Sequence, residues 1–328
     1  MMLEEPRLAL IGRLQTMIHE CLKDHVSEGP ISLLDFPDIR NPGDSAIWLG
    51  QVTYLQSKHR RRPAYVARMR DYSPEELQRV APTGPIFLHG GGNFGDIWVG
   101  RQNFRERVLE DFPGRLVVQF PQSIHFSSLP RLQQCARVIE KHGNFVLLTR
   151  DENSRQVAEK HFNCHVGLCP DMAFWVGALR AKTPEVPVLA LLRTDKESTN
   201  FERCGDHGVP IEDWITESKR SVDVAKAVGA LSAFAALQPH EMRLRMLTAA
   251  ARNRLRRGVR HISRGSAIVT DRLHAHIISL LLGRPHATLD NSYGKVWGFM
   301  DRFTRNSPLA YQATSFEDGV AWAREQAA

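Results

Sequence analysis

The sequence lacks a long apolar run. Its most apolar stretch, around residues 277–282, is far shorter than the roughly 20 residues that a membrane-spanning helix requires. The first residues, MMLEEPRLALIGRL, place Glu4, Glu5 and Pro6 where a secretory signal would carry basic residues and then an apolar core. We therefore expect no membrane span and a cytoplasmic protein.

Cysteine is also scarce. The five cysteines, Cys21, Cys135, Cys164, Cys169 and Cys204, are scattered, odd in number and never paired as C-x-x-C. This pattern favours free thiols in a reducing compartment. The short Cys164–Cys169 segment has no second pair of ligands nearby, so we expect buried thiols and no metal site.

Acidic residues are fewer than basic ones, and the net charge is +7. An anionic partner is therefore expected: a phosphorylated small molecule, an anionic membrane surface or a nucleic acid. Eight arginines fall in one segment with an apolar stripe of helical spacing: Arg243, Arg245, Arg252, Arg254, Arg256, Arg257, Arg260 and Arg264. This pattern fits a solvated helix face or a contact of residues 242–264 with an anionic membrane. No nucleic-acid motif accompanies it, so we expect no nucleic-acid partner.

The chain of 328 residues is 42% hydrophobic and 24% charged, as in a folded globular protein of two ordinary domains. A helix is predicted over residues 7–24, and continuous apolar runs then alternate with helical stretches. Such runs are typical of parallel strands covered on both faces. The first series of predicted strands is 31–36, 64–69, 86–89, 116–120, 145–149 and 164–168.

A second series follows the proline-containing stretch 181–187. It comprises predicted strands at 188–193, 267–271 and 286–290, with helices at 223–236 and from Arg272 onward. We therefore predict two doubly wound, Rossmann-like domains of the α/β class, residues 1–182 and 183–328, with a cleft between them. The last helix, 315–327, can pack on either domain, including back on the first.

The stretch LHGGGNFGD, residues 88–96, has the G-x-G-x-x-G spacing of a dinucleotide site. That fingerprint also needs an acidic residue at the end of the next strand, and LVVQF ends instead in Gln119 and Phe120. A dinucleotide is therefore disfavoured. Adjacent glycines indicate a backbone that approaches a substrate or the opposite domain closely. Asp96 is predicted to begin the next helix.

Other loops that follow predicted strands carry polar residues. In NPGDS, Asp44 or Ser45 can cap a helix or contact a ligand. His125, in the predicted loop FPQSIHF, is suited to proton transfer or is simply a satisfied loop histidine. Arg150 and Arg193 both end strands. In TDRLHAH, Arg272 at a helix N-terminus indicates an anion site, where the divergent His274 and His276 exclude a shared zinc ion.

Six motifs in order resemble the polysaccharide pyruvyl transferase family over about residues 30–300. They are NPGDSAIWLG, LHGGGNFGDIW, FPQSIHF, TRDENS, PDMAF and TDRLHAHIISLLLGRP, the last followed by DNSYGKVWGF. The resemblance implies a GT-B-like fold with phosphoenolpyruvate as donor, no cofactor, and a sugar as acceptor. The acceptor would be a unit of an exopolysaccharide or other surface glycan, often lipid-linked at the inner face of the membrane. The product would be a pyruvate ketal.

The resemblance and the residues together indicate roles. We predict His274 as general acid or base and His125 as its counterpart across the cleft, with Arg272 beside them. The family's R-L-H segment covers Arg272, Leu273 and His274. A second set is expected to bind substrate: Arg193 or Arg150 on the donor, and Asp44, Gly91, Gly92 and Asn93 on the acceptor. The arginines would neutralise the leaving phosphate without a metal.

Two alternative functions share these features. A GT-B glycosyltransferase would use the same architecture and bind a nucleotide sugar. A non-catalytic glycan-binding relative would keep the fold without the chemistry, although the presence of His125, Arg272 and His274 speaks against it. The sequence does not distinguish the acceptor sugar or the hydroxyl pair.

Overall fold

The computed structural model describes residues 4–194, 208–232, 239–290 and 294–328. The helices are α1 Glu4–Leu22, α2 Pro42–His59, α3 Pro74–Val80, α4 Val99–Asp111, α5 Leu129–His142, α6 Glu152–His161, α7 Lys219–Leu231, α8 Pro239–Ile262, α9 Leu273–Leu282, α10 Lys295–Phe303 and α11 Phe316–Ala327. The strands are β1 Ser32–Leu34, β2 Tyr65–Ala67, β3 Ile86–Leu88, β4 Gly91–Gly95, β5 Val117–His125, β6 Phe145–Thr149, β7 His165–Leu168, β8 Val186–Leu191, β9 Ile211–Glu212, β10 Gly265–Thr270, β11 His286–Thr288 and β12 Ala310–Gln312.

The strands form two sheets. The first has the order β2-β1-β3-β5-β6-β7, with β4 paired to β5, and the second has the order β12-β11-β10-β8-β9. Every pairing between described strands is parallel, as the continuous apolar runs predict. The α/β class with parallel sheets is confirmed. The division into domains at residues 182 and 183 stays a prediction.

The glycine-rich stretch differs from its prediction. Residues 91–95 form strand β4 instead of a loop, and FPQSIHF extends β5 to His125 instead of leaving the sheet. The helix after β4 begins at Val99, so the prediction that Asp96 starts it is wrong. Asp96 instead accepts hydrogen bonds from the backbone of Ser127 and Ser128. A strand at this position also rules out the phosphate-binding turn of a dinucleotide fingerprint.

The glycines of β4 serve a close backbone approach within the first sheet. Gly95 has φ +118°, and a Cβ there would lie 1.7 Å from the carbonyl oxygen of His125. At Gly90 a Cβ would lie 2.8 Å from the carbonyl oxygen of Pro121. Both neighbours belong to β5, so the close approach is to an adjacent strand rather than to the opposite domain.

The second half of the chain mostly follows its prediction. Strands β8, β10 and β11 cover the predicted runs, and β9 and β12 were not predicted. Helix α7 runs from Lys219 to Leu231, whereas the helix was predicted over 223–236, of which 233–236 lie outside the described residues. Helix α11 packs on the second sheet, where Gly319 approaches Val269 and Ala287.

Helices α2 and α8 connect the two halves. Trp48 Nε1 on α2 donates to Thr248 Oγ1 on α8 at 3.4 Å. Gly258 on α8 lies so close to Pro42 that a Cβ would be 2.6 Å from the proline Cβ. Since α2 follows β1 of the first sheet and α8 precedes β10 of the second, this contact fixes both sheets around one shared apolar core.

A single carboxylate, Asp38, adds an ionic connection in the same place. Its oxygens lie 3.0 Å from both Arg68 and Arg254 and 3.2 Å from both Arg70 and Lys226. Burial would raise the pKa of Asp38, but its guanidinium partners outweigh burial and hold the pKa well below its usual range. Asp38 is therefore ionised and joins α7 and α8 to the loops of the first sheet.

The arginine-rich segment forms helix α8 and the turn after it, as its apolar stripe predicts. None of the helices in the described ranges is long and apolar enough to cross a membrane.

Two buried histidines in the second half form a neutral hydrogen-bonded chain. His286 Nδ1 lies 2.9 Å from the carbonyl oxygen of Arg284, which only accepts, so this nitrogen carries the proton. His286 Nε2 then accepts from His276 Nδ1 at 2.7 Å, and His276 Nε2 accepts from the Thr304 hydroxyl at 2.9 Å. His276 is thus structural. Burial lowers the pKa of both imidazoles.

This chain predicts acid sensitivity of folding. Because the pKa of both histidines is lower in the folded than in the unfolded protein, stability is complete above the unfolded pKa of about 6.5 and falls as pH decreases below it. Between pH 7 and 5 the loss should be about 2 kcal/mol per histidine. Urea denaturation at both pH values should show a smaller decrease for His276→Gln/His286→Gln than for the unaltered protein. Equal decreases would contradict the neutral chain.

Candidate active site

His274 lies where the two halves meet. It is the second residue of α9, whose N-cap, Arg272, makes no side-chain capping hydrogen bond. Its imidazole packs on Gly43 in the first turn of α2, so tightly that a Cβ on Gly43 would lie 2.3 Å from His274 Cγ. On another side, His274 Nε2 lies 3.4 Å from Asp171 Oδ2. The imidazole is therefore held between a glycine and a carboxylate.

The Gly43 turn is organised by Asn41. Asn41 is the N-cap of α2, and its side-chain oxygen accepts from the amide of Gly43 at 3.1 Å. The prediction that Asp44 or Ser45 caps this helix is therefore wrong, because Asn41 already performs the role. Asp44 is left facing Gly91 of β4, where a Cβ would lie 3.6 Å from Asp44 Oδ1.

Asp171 anchors a buried polar network behind His274. Arg150 Nη1 donates to Asp171 Oδ2 at 2.6 Å, and Arg150 Nε donates to Ser123 Oγ at 3.0 Å. Ser123 in turn donates to Asp151, the N-cap of α6. Burial would raise the pKa of Asp171, but contact with His274 and the charge of Arg150 outweigh it and lower that pKa. Asp171 is therefore a carboxylate at neutral pH.

His89 lies in the same buried region. Its Nδ1 donates to Gln51 Oε1 on α2 at 3.0 Å, while its buried Nε2 has no hydrogen-bond partner among the residues that the structure describes. Burial, together with the positive charge of Arg101, lowers the pKa of His89 to about 3. The imidazole is therefore neutral and presents an unpaired lone pair next to the His274 region.

Asp35, at the end of β1, has a left-handed backbone with φ +66°, which is uncommon for a residue other than glycine. Its buried carboxylate is paired with Arg101 of α4. Burial raises the pKa of Asp35 to about 6, although Arg101 and Arg105 oppose the shift. Non-glycine residues in this conformation often occur at functional sites.

Asn93 of β4 is held by its own surroundings. Its side-chain oxygen accepts from Arg105 Nη2 at 2.9 Å and from Gln122 Nε2 at 3.0 Å. Gln119 and Gln122 also donate to the carbonyl oxygen of His89. These amides fix the backbone of the glycine stretch, including Gly91 and Gly92.

A second polar cluster lies at the carboxyl ends of the strands of the second sheet. Arg272 Nη2 is 2.6 Å from Asp213 Oδ2, and that carboxylate also accepts from Thr194. Asp271 Oδ1 accepts from the backbone amide of Arg193 at 2.9 Å. Burial raises the pKa of Asp271 to about 6. The side chain of Leu273 packs in the apolar core, so this residue contributes only its backbone to the polar cluster at the start of α9.

The structure places His125 in a different setting from His274. His125 ends β5 and pairs with Gly95, and its carbonyl oxygen accepts from the amide of Asp96 at 3.1 Å. His274, by contrast, has Gly43 and Asp171 as neighbours. The pairing of these two histidines across a cleft stays a prediction.

Four residues of this site were not predicted from the sequence: Asp35, His89, Arg101 and Asp171. Asp35 and His89 follow β1 and β3 directly. Because ligands bind at the carboxyl ends of parallel strands, their position was a sequence signal for this site. Asp171 lies in the quoted motif PDMAF, but nothing in the sequence shows that it reaches His274. Across the described ranges, no three His, Cys, Asp or Glu side chains are arranged to hold a metal ion.

Comparison with known proteins agrees with the resemblance of the motifs. The model of the family described as polysaccharide pyruvyl transferase matches residues 41–293. Pyruvyl transferase 1 of Schizosaccharomyces pombe is 31% identical over 85% of this chain and 71% of its own length. The putative pyruvyl transferase EpsO of Bacillus subtilis is 28% identical over 82% of this chain and 83% of its own.

The fold also has a solved counterpart. A functionally uncharacterised protein from Klebsiella pneumoniae superposes with a TM-score of 0.60, covering 92% of this chain and 99% of that one, at 18% identity. At this identity the likeness concerns the fold alone. Together with the two parallel sheets, it is consistent with a Rossmann-like, GT-B-like arrangement.

Proposed function

The chain belongs to the polysaccharide pyruvyl transferase family, and from this premise we propose that it transfers the enolpyruvyl group of phosphoenolpyruvate to a sugar of a glycan, forming a pyruvate ketal. The observation that carries the proposal is the position of His274. A histidine beside a buried carboxylate, at a helix N-terminus where the side chain of the N-cap residue makes no capping hydrogen bond, combines a proton carrier with an anion site.

The donor calls for several positive groups in a small volume, because it carries a carboxylate and a phosphate on three carbons. Arg272 and the N-terminus of α9 supply a guanidinium fork and the positive end of the helix dipole. We assign Arg193 rather than Arg150 to the donor, because Arg193 lies beside Asp271 in the same cluster as Arg272, whereas Arg150 lies in the network behind His274. No metal or cofactor enters this scheme.

In the proposed reaction, the methylene carbon of the donor gains a proton and the adjacent carbon takes on oxocarbenium character. One sugar hydroxyl attacks that carbon, the bond to the phosphate oxygen breaks, and a second hydroxyl attacks to close the ketal. The two hydroxyl groups release two protons. One offsets the proton that the methylene carbon has gained, and the other leaves with inorganic phosphate. The products are the ketal and phosphate.

We assign both proton transfers to His274, because a positioned histidine is the side chain that most often acts as general acid or base. Asp171 faces Nε2, which leaves Nδ1 for the reacting groups. Asp171 is then a positioning residue that favours one tautomer and stabilises the imidazolium. Arg150 keeps Asp171 ionised.

The acceptor is assigned to the first sheet. Asp44 faces Gly91, and the Asp35–Arg101 pair follows β1, so these side chains can bind sugar hydroxyls. Asn93 is assigned a supporting role, because Arg105 and Gln122 already engage its oxygen. With a pKa of about 6, Asp35 is a second candidate base beside His125.

The test is to incubate the protein with phosphoenolpyruvate and simple galactosides, glucosides or mannosides. We expect phosphate release that depends on the sugar, and a product whose mass corresponds to a ketal. Parallel incubations with uridine and guanosine diphosphate sugars test the glycosyltransferase alternative. Transfer of sugar from these nucleotides, without phosphate release from phosphoenolpyruvate, would overturn the proposal.

Arg272→Lys should weaken donor binding. Lysine keeps the charge but loses the planar fork, and a hydrogen bond to a charged group contributes about 1.5–3 kcal/mol. We therefore expect the KM for phosphoenolpyruvate to rise about 10- to 100-fold. Steady-state kinetics measure this, with Arg137→Lys on the exposed face of α5 as the matched control. An unchanged KM would remove Arg272 from the donor site.

A further inference from the structure

A groove of about 470 Å³ runs along the surface beside α2 and α8, and none of its described lining residues belongs to the polar clusters of the candidate active site. Its apolar lining comes from α2, α8 and the segment 176–182: Leu49, Val52, Val176, Leu179, Leu255 and Val259. This volume lies within the range of about 300–1,000 Å³ that is usual for small-molecule sites.

The rim of the groove is basic. Arg252, Arg256 and Arg260 lie at i, i+4 and i+8 of α8, and Lys182 lies on the facing segment. None of the described lining residues is acidic. The groove therefore combines an apolar floor with a row of positive charges along one edge.

These three arginines differ from the other five of the basic segment. Arg243, Arg245, Arg254, Arg257 and Arg264 all bind carboxylates or backbone carbonyl oxygens of this chain. By contrast, Arg252, Arg256 and Arg260 are exposed and make no hydrogen bond or ion pair with the described residues. The fold thus uses five arginines internally and leaves uncompensated only those beside the groove.

We propose that this groove binds one molecule of a lipid phosphate, with the hydrocarbon chain on the apolar floor and the phosphate on Arg252, Arg256 and Arg260. Guanidinium groups bind phosphate through paired hydrogen bonds, and an apolar chain gains free energy by leaving water. A concave groove of this volume receives a single chain.

The groove is also close to the candidate active site. Leu49 lies six residues after Gly43 on α2, a distance of about 9 Å along the helix axis. Resting on the proposed function, we assign the lipid phosphate as the carrier of the acceptor sugar, whose sugar end reaches His274. Binding of the lipid phosphate itself is independent of that chemistry.

Calorimetry with soluble probes tests the proposal. Decyl phosphate carries both features, decanol only the chain, and inorganic phosphate only the charge. We expect decyl phosphate to bind at least about tenfold more tightly than either. Equal affinity for inorganic phosphate or for decanol would overturn the proposal.

Two variants locate the binding. Arg252→Glu/Arg256→Glu/Arg260→Glu should weaken decyl phosphate binding at least about tenfold, and Leu179→Trp should do the same by filling the groove without changing charge. The control, Arg79→Glu/Arg137→Glu/Arg302→Glu, makes the same charge change on other helices and should bind as the unaltered protein does. Circular dichroism checks that each variant is folded. Unchanged binding in both groove variants would overturn the proposal.

Vesicles distinguish a single lipid from a membrane surface. If the protein sediments with phosphatidylcholine vesicles containing phosphatidylglycerol and decyl phosphate does not release it, the occupant is the bilayer surface and the single-chain proposal fails. Release by decyl phosphate supports it. Pyruvyl transfer to a soluble sugar, measured on the charge-reversed variant, should be unchanged. In the unaltered protein, decyl phosphate binding without pyruvyl transfer would mean that only the proposed function has failed, and transfer without decyl phosphate binding would mean that only the groove proposal has failed.

Discussion

His274→Ala should lower kcat for pyruvyl transfer by about 100- to 10,000-fold, the range that general acid–base groups contribute. Without the imidazole, no group held by Asp171 remains to move a proton at neutral pH. Donor binding should change much less, because Arg272 and the amides of α9 stay in place. Phosphate release under saturating substrate measures kcat, and calorimetry measures the affinity for phosphoenolpyruvate.

Asp171→Asn separates positioning from proton transfer. The amide keeps the shape of the side chain but not its charge, so the imidazolium is less stable and the acidic limb of the pH profile should move to lower pH. Asp171→Glu should restore the profile in part. If His274→Ala keeps the full rate, or if Asp171→Asn reduces stability without moving the pH profile, the assigned roles are wrong.

Gly43→Ala should cost about 100-fold in kcat, the second large effect we expect. In a helix interior this substitution normally stabilises by about 0.5–1 kcal/mol, because alanine restricts the unfolded chain more than glycine does. Here the new Cβ would lie 2.3 Å from His274 Cγ, so the imidazole must move. A displacement of about 1 Å near reacting groups is enough for a loss of this size.

Gly12→Ala is the matched control. Gly12 also lies in a helix, α1, but a Cβ there meets nothing within 4 Å. This variant should raise the melting temperature and leave kcat unchanged. Wild-type kcat in Gly43→Ala, with His274 still next to Asp171, would contradict the assigned contact.

The sequence was sufficient for the elements whose signals are local. Continuous apolar runs located the main parallel strands. The prediction of a loop at residues 91–95 was wrong because the strand that pairs with them, β5, is distant in the sequence. Gly91–Gly95 has few of the side chains that favour strands, and it is a strand only because β5 extends beside it.

The residues of the site also divide into those with a local sequence signal and those placed by tertiary packing. Arg272 and His274 were located by their motif, and their place at the start of α9 was confirmed. Asp171 could not be paired with His274, because about a hundred residues separate them and only tertiary packing brings them within 3.4 Å. The left-handed backbone of Asp35 likewise has no local signature.

The position of Asp38 makes the protein sensitive to the loss of a single negative charge. With four cationic neighbours around one carboxylate, Asp38→Asn would remove more than an ion pair. Arg68 would keep Asp71 and Arg254 would keep Glu217 as counter-charges, but the carboxylate that they share with Lys226 would be lost, and the attraction between the two sheets would weaken. A neutral side chain at this one position would leave repulsion between the neighbouring cations, and added salt would partly screen that repulsion.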